Sequence, residues 1–113
     1  MKKKIYCFDL DNTLCTTKKS NYNLSKPKKK AIQTLNFLYD KGHTIKIYTA
    51  RYMGRNKDNI KNKKKIHFLI SNQLKKFGIK HHRLFISKPS ADIYVDDKSY
   101  GYKKNWIKKF IKI

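Results

Sequence analysis

All seven acidic residues of this 113-residue chain are Asp, and four of them fall in two tight pairs, Asp9/Asp11 and Asp96/Asp97. Carboxylates crowded together raise one another's pKa unless a cation joins them, and a hard divalent cation satisfies them best. With no His or Cys directly beside either pair in the ligand pattern, oxygen donors favour Mg2+ over zinc. Thr49 adds a hydroxyl and Lys88 an ammonium. A metal held by carboxylates, with a hydroxyl and a Lys at hand, suits a phosphate group, because the cations offset the anion and the hydroxyl orients its oxygens. One carboxylate can then attack phosphorus and carry it as an acyl phosphate. A second, two residues on, can exchange protons with the leaving group and with water. Taken singly, an Asp pair is just as readily a turn former or a helix cap, so the chemistry rests on the whole set.

These residues form a site only if the chain brings them together. Ile5 to Leu10 is apolar at odd and even positions until Asp9, which describes a strand covered on both faces. Residues 12 to 24 are polar and read as a loop, and Ser25-Lys26-Pro27 signals a helix start. Ala31, Ile32, Leu35, Leu38 and Tyr39 make that helix's buried stripe, stopped at Gly42. Thr44 to Thr49 is a second strand. A second helix is predicted from near Asp58 to Gly78, with Ile66, Ile70, Leu74 and Phe77 on one face. Leu84-Phe85-Ile86 and Ile93-Tyr94-Val95 read as further strands, and Trp106, Ile107, Phe110 and Ile111 as a closing helix. The alternation predicts a three-layer α/β domain over residues 1–113, with a parallel sheet and right-handed crossovers. Ligands of such sheets bind outside the carboxyl ends of the strands, where Asp9, Asp11, Thr49, Asp96 and Asp97 would all lie.

Taken together, Asp9-Leu10-Asp11-Asn12-Thr13, Thr49 after a β-rich run, Lys88, and Asp96-Asp97 after Ile93-Tyr94-Val95 resemble the haloacid dehalogenase (HAD) superfamily of phosphohydrolases. The resemblance covers roughly residues 4 to 98 and implies a Rossmann-like core. It implies that Asp9 is the nucleophile and a metal ligand, and that Asp11 is the general acid/base with its backbone carbonyl on Mg2+. Thr49, assisted by the Ala50 amide, would bind phosphate. Lys88 would steady Asp9 and the phosphoryl oxygens. Asp96 would ligate Mg2+ directly, and Asp97 directly, through water or from behind. Asn12 stands where many members have Gly, and Asn tolerates a left-handed backbone. Thr13 would brace the loop by a hydrogen bond. An acidic residue at position 11 fits the phosphatase branches, since dehalogenases lack it. The intervals after Thr13 and between Gly78 and Lys88 are too short for a cap domain. Tyr48 to Arg55 and Lys88 to Lys98 further resemble small capless HAD proteins associated with capsule and lipopolysaccharide sugar biosynthesis. Arg51 and Arg55 are expected to clamp a second anionic group of the substrate in a guanidinium fork.

Lys+Arg number 29 against the seven Asp, a net charge of +22, yet 39% of residues are hydrophobic, which is enough to form a core. All the cations but Arg51, Arg55 and Arg83 are Lys, and Asn and Ile are also frequent, so AT-rich coding accounts for much of the charge. The substrate expected is therefore a small phosphorylated metabolite such as a sugar phosphate. The alternatives are a nucleic-acid 3′-phosphate end and a non-catalytic HAD-fold protein that binds polyanions. An open crevice is expected to be closed by self-association. No apolar run approaches the roughly 20 residues that cross a bilayer, and Cys7 and Cys15 fit no disulfide or metal motif, so a cytoplasmic protein is expected. The Lys61 to Lys65 run reads as a solvated helix face, and His81-His82 falls at the amino end of the sheet, away from the site.

Overall fold

Strand β1 (Ile5–Asp9) forms the heart of a computed structural model that describes residues 2–19, 21–51, 60–86 and 91–95. The chain continues through β2 (Cys15–Thr16), a 3-10 turn at Tyr22–Leu24, β3 (Lys26–Pro27), α1 (Lys29–Asp40) and β4 (Thr44–Tyr48). It then runs through α2 (Ile60–Phe77), β5 (Arg83–Phe85) and β6 (Ile93–Val95). The main sheet is parallel, in the order β5-β4-β1-β6. This is the expected Rossmann-like three-layer α/β architecture, and among the described residues no cap domain interrupts it.

The register explains the burial. Tyr6 lies opposite Ile45 and Ile93, and Phe8 opposite Ile47 and Val95, so these side chains share one face. Leu35 and Leu38 of α1 and Ile66, Ile70 and Leu74 of α2 pack against that face in one apolar cluster. Cys7 and Tyr48 point the other way and are also buried, so the centre of the sheet is shielded on both sides. The two helices sit side by side. Asn36 of α1 donates from Nδ2 to the Gly78 carbonyl (2.9 Å) and accepts from the Lys80 amide (2.9 Å). Both helices end with glycine in the left-handed region, Gly42 at φ 94° and Gly78 at φ 73°. The next amides, His43 and Ile79, reach back to the carbonyls of Leu38 and Leu74, the six-to-one bond of a Schellman stop.

The start of α1 differs from the expectation. Ser25 does not cap the helix; its N-cap is Lys28, with no side-chain hydrogen bond, and Lys26–Pro27 pair instead with Cys15–Thr16 as the antiparallel ladder β3–β2. The pairing redirects Ser25 inward, and it turns part of the expected loop over residues 12 to 24 into ordered structure. The other described elements agree with the sequence reading to within a residue or so. The expected helix near Trp106 to Ile111 and the start of α2 at Asp58 lie outside the described residues.

Polar side chains lock the amino ends of the strands. Asp92 accepts from the Ile5 amide (2.8 Å), His43 Nδ1 from the Lys4 amide (3.1 Å), and His82 Nδ1 from the Ile45 amide (3.0 Å). His82 also stacks on Tyr39, which gives it a structural place at this edge, as its position in the sequence implied. His43 is almost wholly buried, and burial, reinforced by Lys3 and Lys4, pushes its pKa below the usual 6.5. The native protein therefore withholds a proton that the unfolded chain takes up, so His43 destabilises the fold as pH falls below about 6.5 and has no such effect above it. Urea midpoints measured between pH 7.5 and 5.5 should fall for the wild type, and the fall should be shallower in His43→Gln. In the core, Leu74→Ala should cost about 2–5 kcal/mol in the same assay, because Leu74 is fully enclosed between α2 and the sheet.

Candidate active site

The carboxyl edge of the sheet collects the polar residues that the strands cannot bury. Asp9 ends β1 opposite Tyr48, the last residue of β4, and Thr49 comes directly after it. Tyr48 in turn lies opposite Phe85, the last residue of β5, and Thr49 donates its amide to the Phe85 carbonyl (3.1 Å). On the other side of β1, Phe8 lies opposite Val95, the last residue of β6. Four strand ends thus stand in a row.

Beyond Asp9 the chain turns tightly. Asn12 takes φ 64°, the left-handed conformation expected for it, and the amides of Leu14 and Cys15 both point to the Leu10 carbonyl. The turn is held from outside by Lys28, whose Nζ donates to the Asn12 carbonyl (3.0 Å). Thr13 is fully buried, but its hydroxyl has no hydrogen-bond partner among the described residues. Among the described residues Thr13 therefore contributes packing and makes no bracing bond.

Asp11 sits at the centre of a polar network. The buried Arg51 grips it with Nε (2.9 Å to Oδ2, 3.1 Å to Oδ1) and Nη2 (2.7 Å to Oδ1). Thr17 donates its hydroxyl to Oδ1 (2.6 Å) and shares a 2.6 Å contact with Ser25 Oγ. Arg51 Nη2 also reaches Ser25 Oγ (3.3 Å), so the donors run Arg51 to Ser25 to Thr17 to Asp11 and close a ring. On its far side Arg51 donates from Nη1 to Gln73 Oε1 (2.5 Å), and its guanidinium lies over the Tyr22 ring at 4.8 Å. Gln73 is itself fixed by donating to the Tyr22 carbonyl (2.8 Å). Only 3% of the Arg51 side chain and 23% of Asp11 remain exposed. A buried guanidinium is tolerated because a carboxylate and neutral acceptors replace its lost water.

Arg51, expected as a substrate clamp, instead makes its described contacts within the protein. Its fork is occupied inside the protein, on the carboxylate of Asp11. Thr49 is buried, and its hydroxyl accepts the Arg51 amide (3.2 Å), whereas the Ala50 amide has no partner among the described residues. The Cys15 thiol lies 3.7 Å from Asp11 Oδ1. It is buried, and burial pushes its pKa up, which keeps it from being a ready nucleophile.

The structure thus brings Asp9, Asp11, Thr49, Ala50 and Arg51 to one edge. Arg55, Lys88, Asp96 and Asp97 lie outside the described residues, although β5 and β6, the strands that precede Lys88 and the Asp96/Asp97 pair, end at the same edge. Among the described residues no group of three or more His, Cys or acidic side chains is placed to hold a metal. Sequence reasoning missed Thr17, Tyr22, Ser25 and Gln73. Ser25 was hidden by its suitability as a helix cap, and Gln73 borders the apolar stripe of α2 without any pattern naming its partner.

No family model and no curated protein matches this chain. Solved structures do. The crystal structure of a structural-genomics target from Vibrio cholerae is 27% identical, covers 96% of this chain and 97% of its own, and superposes with a TM-score of 0.65. A conserved protein from Bacteroides thetaiotaomicron is 18% identical over 98% of this chain and 91% of its own, with a TM-score of 0.61, a likeness of fold alone. Both proteins have close to the same extent as this one, so the α/β fold is shared nearly end to end.

Proposed function

We propose that this protein is a Mg2+-dependent phosphomonoesterase of the HAD type that works through an aspartyl-phosphate on Asp9. The observation that carries the reading is the strand register. Tyr48 opposite Asp9 puts Thr49 just past the strand end beside β1, and Val95, opposite Phe8, ends the strand that precedes the Asp96/Asp97 pair in the sequence. A nucleophile, a proton-transfer group, a phosphate-binding hydroxyl and a second acidic pair then come from neighbouring strand ends, as the resemblance requires.

The donor set fits a hard cation. Asp9 offers a carboxylate, and Asp11, with its own carboxylate engaged by Arg51, offers its main-chain oxygen. Asp96 and Asp97 would complete the set. When bound, Mg2+ supplies positive charge against the phosphoryl oxygens.

The residues then divide the work. An Asp9 oxygen attacks phosphorus as the bond from phosphorus to the ester oxygen breaks, and Asp11, the general acid of this reading, gives a proton to the departing oxygen. The Thr49 side chain and Ala50 amide orient the phosphoryl group, with Lys88 adding charge. Asp11, now a carboxylate, takes a proton from water as that water attacks phosphorus. The bond between phosphorus and Asp9 breaks, releasing phosphate and restoring the Asp9 carboxylate.

The substrate in this reading is a small phosphorylated metabolite such as a sugar phosphate, enclosed by a second copy of the chain. The net charge of +22 favours one other reading, a 3′-phosphorylated nucleic-acid end. Phosphate release from an aryl phosphate should require Mg2+, stop on chelation and fall to background in Asp9→Asn; near-normal turnover by that variant would refute the nucleophile assignment. Across a metabolite panel and a 3′-phosphorylated oligonucleotide, a metabolite should give the highest kcat/KM and change little between about 50 and 200 mM salt. Preference for the oligonucleotide, with a loss of orders of magnitude over that salt range, would reassign the substrate.

A further inference from the structure

We propose that the outward side of α2 is a peripheral docking surface for an anionic phospholipid membrane, with Phe68 and Leu69 entering the headgroup boundary while Lys64, Lys65, Lys75 and Lys76 offset the lipid charge. The contact is with one leaflet and not a span, since among the described residues no helix is long and apolar enough to cross a bilayer. It does not depend on the phosphatase reading.

Helix α2 buries Ile66, Ile70 and Leu74 in the core, which turns the opposite side of the helix to water. Phe68 is nevertheless 63% exposed and Leu69 48% exposed. The four lysines around them are exposed as well. Their spacing sets them in two rows along the helix, Lys64-Phe68-Lys75 and Lys65-Leu69-Lys76, because residues four and seven apart lie on one side. Each exposed apolar side chain thus has a cation one turn before it and another two turns after it.

The needs of the helix itself do not explain this charge. Lys75 and Lys76 suit the negative end of the helix dipole, but Lys63, in the first turn, opposes the positive end. No acidic residue occurs anywhere in α2, so no pair within the helix offsets the repulsion between its lysines. The neighbouring α1 supplies little. Its one carboxylate, Asp40, is engaged by Lys80 at 2.9 Å, and its own exposed aromatic, Phe37, has Lys41 over the ring at 5.3 Å. The helical layer therefore offers cations and apolar side chains together, and the matching anions must come from another molecule.

Charge selects the partner. A second copy of the chain carries the same +22 and would bring lysines against lysines. A nucleic-acid duplex would satisfy the lysines through its phosphates but leave Leu69 and Phe68 no apolar surface to enter. An anionic bilayer satisfies both, because headgroups attract lysines at its surface and the acyl boundary just beneath accepts Phe and Leu.

The test is co-sedimentation of the full chain with vesicles of phosphatidylcholine alone or with about 30% phosphatidylglycerol, at about 150 mM salt. The wild type should bind only the anionic vesicles. Each lysine near such a surface is worth about fivefold, so Lys64→Gln/Lys65→Gln/Lys75→Gln/Lys76→Gln should bind at least about 100-fold more weakly. Phe68→Ser/Leu69→Ser, which keeps every charge, should lose about 10-fold. Lys2→Gln/Lys4→Gln/Lys18→Gln/Lys26→Gln removes four exposed lysines from outside α2 and should lose less than about 10-fold. All the substituted positions are exposed, and circular dichroism should show wild-type helix content in each variant. Failure of the wild type to bind anionic vesicles, equal binding to neutral ones, equal losses in the two lysine variants, or no loss in Phe68→Ser/Leu69→Ser would each overturn the proposal. Tighter binding to a DNA duplex than to the vesicles, lost in the α2 lysine variant alone, would reassign the surface to nucleic acid. None of these results bears on phosphate release, so the phosphatase reading stands or falls separately.

Discussion

A strand paired on both edges and covered on both faces can place a carboxylate only at its ends. β1 is that strand here: β4 and β6 take its two edges, and Tyr6, Cys7 and Phe8 are buried on alternating sides. An ionised group within it would forfeit its hydration with no partner to replace it. Asp9 therefore falls at the carboxyl end, and Asp92, from the segment before β6, meets the amino end. Parallel pairing does the rest, because all four strands run in the same direction and end at one edge.

The same constraint accounts for the contrast between the two edges. At the amino ends Asp92, His43 and His82 accept main-chain amides and fix the register. At the carboxyl ends a charged pair is placed instead. Arg51 is the more buried partner, so loss of Asp11 would take the described carboxylate from a buried guanidinium, while loss of Arg51 leaves a carboxylate that water can reach. The two partners thus differ in how far the fold depends on them, and the arginine is the residue whose chemistry can be altered with less damage.

Much of the architecture was legible in the sequence because it stems from local patterns. Apolar runs without alternation marked strands buried on both faces, the stripe from Ala31 to Leu38 marked α1, and Gly42 and Gly78 marked the helix stops. The left-handed turn at Asn12 was readable from the residue type alone. The features that escaped were tertiary. Ser25 before Pro27 satisfies the local rule for a helix start, but the β2–β3 ladder outcompetes it and turns the hydroxyl toward Thr17 and Arg51. Arg51 read as a substrate clamp because nothing in its neighbours names a partner 40 residues away in the chain. The hydroxyl of Thr13 lacks, among the described residues, the bracing partner that its place in the motif suggested.

The proposed transfer of a phosphoryl group to Asp9 at the carboxyl edge of this sheet is tested most directly by a covalent intermediate. Acid quenching during steady turnover of an aryl phosphate with Mg2+ should trap an acyl phosphate. Borohydride reduction and then peptide mass analysis should place the modification on Asp9. A modification at Asp9 that vanishes when Mg2+ is chelated is the predicted result. Rapid turnover with no modification at Asp9, or with the label on any other residue, would contradict the account.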